Sequence, residues 1–353
     1  MSATSISVPA TLAELLTPEW LEGALSTRFP GLHITRVTPG PIVERVSTNA
    51  RFTIEGDIPD GLPTALCAKG YFSEAGHGSR QAGVPEACFY RDLAHPIGVR
   101  TLNSVWADVD PVTDHGVVIT QDAVEQGAVF CDALDDCTVE RTAELLGQLA
   151  VLHAYAWEQP EIVAQHESLA TRLQFILNVR GLNEISANFD GPNGAGVPDG
   201  TRRAQGLVDA YRSLAAHTPG PGWTIAHGDA HVGNTFLDGD DRACLLDWQV
   251  TQFAPWWIDV GYHIASALEP DVRAANERDL LQHYLDALGA AGVTTVPELD
   301  DAWDGYRKGV VHGFFLWGIT VYVRPEVIAQ LLRRLGTAAD ELGSYELLAG
   351  TSP

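Results

Sequence analysis

His227-Gly228-Asp229-Ala230-His231-Val232-Gly233-Asn234, followed by Leu245-Leu246-Asp247-Trp248-Gln249, is the stretch on which the fold turns. It sets an Asp, an Asn five residues on, and a second Asp thirteen beyond that. Phosphoryl transfer from a nucleoside triphosphate calls for such groups. One carboxylate takes the proton of the acceptor hydroxyl, while an amide oxygen and another carboxylate hold Mg²⁺ against the phosphates. The surrounding residues predict a matching local structure. Trp223-Thr224-Ile225-Ala226 is a short apolar, β-branched run leading to Gly228, a strand entering a turn. Phe236-Leu237 and Cys244-Leu245-Leu246 flank the acidic turn Asp238-Gly239-Asp240-Asp241 and predict a β-hairpin that returns Asn234 and Asp247 to one end of two paired strands. Asp and Asn are frequent in turns for reasons of their own. The specificity lies in the whole array around the hairpin.

These residues, with the downstream Pro255-Trp256-Trp257-Ile258-Asp259-Val260-Gly261-Tyr262, resemble the aminoglycoside phosphotransferase and choline-kinase-like superfamily, whose fold is related to that of protein kinases. The Asp-Trp-Gln form is similar to the ecdysteroid-kinase-like branch. The likeness runs from about the fortieth residue to the end, strongest over the catalytic segment and weakest in the helices that would choose the substrate. It implies a two-lobed, protein-kinase-like α+β fold. Residues 1–122 would form a small strand-rich nucleotide-binding lobe, and residues 123–353 a larger, mainly helical lobe with the catalytic loop and substrate pocket. It also implies an ATP-dependent, Mg²⁺-dependent phosphotransferase that moves the γ-phosphate to a hydroxyl of a small molecule.

In that scheme Asp229 is the catalytic base, and Asn234 and Asp247 are the metal ligands. Asp259 accepts hydrogen bonds from the catalytic-loop backbone and holds Asp229 in place. His227 braces the loop. His231 either lines the cleft or satisfies backbone groups, and Trp256 and Trp257 are read as packing residues, a substrate platform being the alternative. Lys69 stands inside the strand-like Ala65-Leu66-Cys67-Ala68-Lys69, where an unpaired ammonium is expensive to bury. A partner and a task are therefore expected. By resemblance it holds the α- and β-phosphates and pairs with a helix glutamate, Glu86, with Glu74 as the alternative. Val117-Val118-Ile119-Thr120-Gln121-Asp122 resembles the strand and connector that carry adenine, its hydrogen bonds coming from backbone near Gln121. No GxGxxG and no GxxxxGK[ST] occur; the phosphate-covering place reads Glu44-Arg45-Val46-Ser47-Thr48-Asn49-Ala50-Arg51-Phe52. The hydroxyls of Ser47 and Thr48 are the candidates for phosphate there, a plain hairpin turn being the alternative.

Asp259 follows Asp247 by only twelve positions, with no Ala-Pro-Glu, and HGD replaces HRD. An activation segment has no room, so the expected acceptor is a small molecule rather than a protein. Two rival readings exist: a metal-dependent hydrolase built on His227, Asp229, His231 and Asp247, and a catalytically silent nucleotide-binding module on the same fold. The first leaves Asn234, Lys69 and the strand-rich first lobe without a role.

Bulk properties narrow the partners. A formal net charge of −24 argues against nucleic acid and anionic membrane surfaces. Five scattered cysteines without CxxC spacing argue for reduced thiols and, with no evident signal peptide, a cytoplasmic protein. The apolar run from Gly309 to Val323 is too short for a membrane span, which needs roughly 20 residues, and predicts a buried helix. Along the chain, the patterns predict an N-terminal helix over 11–28 broken at Pro18. Strands follow at 34–38, 50–55, 64–71 and 117–120, with a helix opening at Pro85-Glu86. A longer helix spans 139–157, with leucines at 145, 146, 149 and 152.

Overall fold

A computed structural model describes residues 6–135 and 137–350 and divides the chain into two compact units. The first holds the described residues through Val129, together with Asp238–Arg242 and Asp247–Val250; the second holds Phe130–Leu237, Ala243–Leu246 and the described residues from Thr251 onward. Strands dominate the first and helices the second, the α+β organisation that the resemblance implies.

The first unit opens on α1 (Leu12–Leu15) and α2 (Pro18–Leu25). Two starts occur because each has its own threonine cap. The Thr11 hydroxyl accepts from the Glu14 N–H and the Thr17 hydroxyl from the Trp20 N–H, while Pro18 occupies the first turn, where no N–H is needed. The strands are β1 (His33–Glu44), β2 (Thr48–Asp57), β3 (Ala65–Gly70), β4 (Ser104–Val109) and β5 (Gly116–Gln121). They form one antiparallel sheet in the order β1-β2-β3-β5-β4. Between β3 and β4 runs helix α3, Val84–Cys88 continuing through Phe89–Leu93 and Ala94–Ile97, with Pro85 in its first turn.

Burial alternates along β2 and β3: Ala50, Phe52, Ile54, Leu66 and Ala68 face the core formed with Leu15, Trp20, Leu21 and Leu25. Each large side chain so buried contributes about 1.5–3 kcal/mol. The opposite face carries Lys69. Strand β4 has no counterpart in the sequence reading, because only Val105 in it is buried and an edge strand of that kind shows no alternation.

In the second unit, α4 (Val139–Ala154) buries Leu145, Leu146, Leu149 and Leu152 and ends three residues before the expected boundary. Helix α5 spans Ala204–Ala215. Strand β6 (Trp223–Ala226) pairs antiparallel with β9 (Gln252–Pro255), and β7 (Thr235–Leu237) with β8 (Ala243–Leu245). Helices α6 (Trp257–Ala267), α7 (Pro270–Ala290), α8 (Leu299–Gly318) and α9 (Pro325–Glu341) complete it. Every residue of α6 is buried. It meets α8 at glycine: a Cβ on Gly309 would stand 1.8 Å from the Trp257 carbonyl oxygen. The apolar run after Gly309 is therefore core, with Val310, Val311, Phe314 and Phe315 wholly buried. Among the described residues no helix is long and apolar enough to cross a membrane. The aromatic residues Tyr306, Phe314, Phe315 and Trp317 are buried, whereas Tyr322 beyond the helix is 82% exposed.

Candidate active site

Within the first unit, Lys69 lies on the face of β3 that the core does not use. Its ammonium stands 2.7 Å from Glu86 Oε2 on α3 and 3.2 Å from Asp247 Oδ1. These two carboxylates, and not Glu74, are its ion-pair partners among the described residues. Burial works to lower the Lys69 pKa, but Asp247 and Glu86 outweigh it; the net shift is upward and the ammonium stays charged. The Asp247–Val250 segment is fixed by its side chains. Trp248, fully buried, stacks on Phe89 of α3 with ring centroids 3.7 Å apart and donates from Nε1 to Thr101 Oγ1 at 3.0 Å. The Gln249 side chain hydrogen-bonds Glu86. Asp247 itself has φ +66°, a left-handed conformation that costs a non-glycine residue energy and persists where the surroundings enforce it.

The remaining first-unit candidates divide. The Gln121 N–H donates to the Asn103 carbonyl at 2.8 Å and the Asp122 N–H to the Ala65 carbonyl at 3.0 Å, so both donors of the expected adenine connector are engaged within the unit. Ser47 lies in the hairpin turn between β1 and β2, where the Arg45 N–H donates to its carbonyl at 2.9 Å. Thr48 opens β2 on the core face, wholly buried, and its hydroxyl has no hydrogen-bond partner among the described residues. The structure does not bring Thr48 to the Lys69 face, because side chains alternate along a strand. Asn49 and Arg51 share that face instead: Asn49 pairs with Lys69 and Arg51 with Cys67.

Within the second unit, β6 delivers the loop that starts at His227. Gly228 turns the chain at φ +82° and Asp229 follows. The Asp229 carboxylate is held on both oxygens: the Tyr262 hydroxyl donates to Oδ1 at 3.1 Å and Asn234 Nδ2 donates to Oδ2 at 3.0 Å. Asn234 Nδ2 also donates to the Asp229 carbonyl at 2.9 Å, which turns the amide oxygen Oδ1 the other way. Trp317 Nε1 donates to the Tyr262 hydroxyl at 2.6 Å, so the phenolic proton is directed onto Asp229. Burial and the neighbouring Asp229 push the Tyr262 pKa well up, which keeps it a neutral donor. The Asp229 side chain remains 29% exposed.

The loop backbone is anchored all round. Asp259, fully buried, accepts from the His227 N–H at 2.6 Å, the Gly228 N–H at 2.8 Å and His153 Nε2 at 3.0 Å. Burial alone would raise its pKa; His153, His227 and the Gly228 N–H reverse that, and the net shift is downward. His312 Nε2 bonds the Gly228 carbonyl at 2.8 Å and His263 Nδ1 the Ala230 carbonyl at 2.9 Å. His227 uses Nε2 on the Leu246 carbonyl and Nδ1 to accept the Asp229 N–H, so neither ring nitrogen is available to a metal. Its ligand role in a hydrolase cluster fails on that ground. His231 takes the Gly233 N–H on Nδ1 and packs edge-on against Trp317. Trp256 stacks on Tyr284 and both Trp256 and Trp257 are buried.

Sequence reasoning had assigned no role to Tyr262, Trp317, His153, His263 or His312. Tyr262 carried one usable signal, its place one helical turn after Asp259 on the same face of α6. Among the described residues no group of three or more His, Cys, Asp or Glu side chains is arranged to hold a metal ion. Mg²⁺ asks for less: one or two protein oxygens, the rest from phosphate and water. Asn234 Oδ1 in the second unit and the Asp247 carboxylate in the first are each hard oxygen donors of that kind.

The sequence profile of the ecdysteroid kinase-like family matches residues 101–292. The matched span contains Asp229, Asn234, Asp247 and Asp259 and leaves Lys69 and Glu86 outside it. No curated protein matches the sequence. Among solved structures the chain is similar to a choline/ethanolamine kinase family protein from Mesorhizobium loti, at 14% identity and TM-score 0.47 over 88% of this chain and 92% of that one. It is similar to the choline kinase LicA from Streptococcus pneumoniae, at 12% and 0.49 over 91% and 98%. A Plasmodium vivax ethanolamine kinase gives 12% and 0.46 over 86% and 82%.

Proposed function

The chain belongs to the ecdysteroid kinase-like family, and from that premise we propose that it is an ATP-dependent phosphotransferase that moves the γ-phosphate to a hydroxyl of a small molecule. The observation that carries the reading is Lys69, a strand lysine whose ammonium is gripped by Glu86 at 2.7 Å and by Asp247, 178 positions away in sequence, at 3.2 Å. A structural ion pair needs one carboxylate. A second, on a strained residue of the motif segment, fits a group that positions phosphate beside a metal-binding acid.

In this reading Asp229 orients the acceptor hydroxyl and takes its proton late. Tyr262 and Asn234 fix the carboxylate before the acceptor arrives, so little reorganisation remains at the moment of transfer. Lys69, kept charged by its neighbours, holds phosphate oxygens. Asn234 and Asp247 would hold Mg²⁺, which when bound supplies neutralisation of charge on the β- and γ-oxygens. Transfer of this kind has a loose transition state, and positioning with charge compensation supplies most of the rate. The missing activation segment fits a small acceptor.

The test is ADP release from ATP across a panel of hydroxylated metabolites and antibiotics, with Asp229→Asn as control. A productive acceptor should stimulate release from the wild-type chain. Asp229→Ala should lower kcat by roughly 10²–10⁴-fold, the range for loss of a general base. Full turnover in the Asp229 variants on that acceptor would remove the assignment.

A further inference from the structure

The face of the sheet that carries Lys69 has a second cation, and it is built into place. The β2–β3 register puts Asn49 opposite Lys69 and Arg51 opposite Cys67. Strand alternation sets all four on one face, away from Ala50, Phe52, Leu66 and Ala68. Arg51 Nε donates to Asp122 Oδ2 at 2.6 Å and a terminal nitrogen to Glu125 Oε1 at 2.8 Å. Asp122 follows β5, and β3 lies between β2 and β5 in the sheet, so the Arg51 side chain reaches across β3 at Cys67. Its anchor is firm: the Asp122 side chain is 5% exposed, its Oδ1 accepts the Val124 N–H at 3.1 Å, and its own N–H is tied to Ala65. Arg51 keeps 27% of its side chain exposed.

We propose that Arg51 is a residue that binds the nucleotide's base: its guanidinium plane, pinned by Asp122 and Glu125, is the platform on which a purine stacks when the phosphates of that nucleotide lie at Lys69. This rests on the phosphotransferase reading. Lys69 and Arg51 are diagonal neighbours across paired strands, their Cα atoms about 7–8 Å apart, so the two cations stand on one face within reach of a single nucleotide. A guanidinium stacks on aromatic faces because it is planar, delocalised and weakly hydrated, which an ammonium is not. Pinning by two carboxylates removes the rotamer freedom that stacking would otherwise have to freeze.

The experiment is calorimetric titration of the full chain and of Arg51→Ala and Arg51→Lys with two probes, MgATP and magnesium tripolyphosphate. Arg51→Ala should weaken MgATP by roughly 2- to 30-fold and leave tripolyphosphate within about twofold. Arg51→Lys, which retains the charge and a partner for Asp122, controls for folding and should still lose most of the base contribution, because it lacks the plane. Unchanged or tighter MgATP binding in Arg51→Ala would overturn the proposal alone, the latter showing a latch rather than a platform. Equal weakening of both probes would also overturn it, since charge and not stacking would then be at work. A wild-type chain that binds no MgATP, or binds it with no effect of Lys69→Met, would bring down the parent reading along with it.

Discussion

Asp259→Asn isolates what the buried carboxylate does for the loop that starts at His227. In the native arrangement Oδ2 receives the His227 N–H and His153 Nε2, and Oδ1 receives the Gly228 N–H. The amide has one acceptor oxygen. Its best orientation keeps that oxygen where Oδ2 was and turns an NH₂ against the Gly228 N–H, so one buried backbone donor is orphaned at a cost of about 1–3 kcal/mol. The two surviving bonds fall from charge-assisted to neutral, a loss of about 1 kcal/mol each. The expected destabilisation is about 3–5 kcal/mol. That is a large part of the 5–15 kcal/mol typical of a folded domain. Urea unfolding at neutral pH, followed by the fluorescence of the nine tryptophans, measures it. The sign with pH is also fixed. The Asp259 pKa is lowered in the folded state, so its contribution is present above the ordinary carboxylate value and fades as pH falls through the lowered one. The gap between wild type and variant should therefore narrow below about pH 4. A neutral-pH difference under about 1 kcal/mol, or a gap that widens in acid, would refute the reasoning.

Tyr262→Phe removes the donor to Asp229 Oδ1 and leaves Trp317 Nε1 without its acceptor. On a productive acceptor kcat should fall about 10- to 100-fold with KM for ATP unchanged, as steady-state kinetics would show. Gly309→Ala drives a methyl group to 1.8 Å from the Trp257 carbonyl oxygen and should destabilise by about 1–3 kcal/mol or more, read as a lower urea midpoint. His263 has its pKa lowered by burial from 6.5 to about 4. Between those values the unfolded chain takes a proton that the folded chain refuses, so stability falls by about 3 kcal/mol as pH drops from 6.5 to 4. His263→Asn, which keeps a donor for the Ala230 carbonyl, should flatten that part of the stability–pH curve.

What the sequence revealed and what it hid divide along the range of the interactions. Trp223–Ala226 and the hairpin strands Thr235–Leu237 and Ala243–Leu245 were readable because short apolar runs met turn residues at once. A partner for Lys69 was readable from the cost of burying an ammonium in a strand. Trp317, His153 and His312 were hidden because each reaches its contact across many tens of residues, with no local period to announce it. Thr48 shows a different limit. In a strand, a shift of one residue moves a side chain to the other face, and the sequence does not say where the parity starts. The same ambiguity concealed Arg51, whose side chain shares the Lys69 face while its neighbour Ala50 is wholly buried.

The ion triad around Lys69 has a chemical consequence of its own. One ammonium faced by two carboxylates leaves that spot with a surplus of negative charge, on a chain that is itself strongly acidic. Bare orthophosphate or sulfate meets an ammonium already neutralised by two carboxylates and should bind weakly there. Admission goes to a polyanion that arrives already carrying its own counter-ions, and raising the ionic strength should hasten its capture rather than slow it.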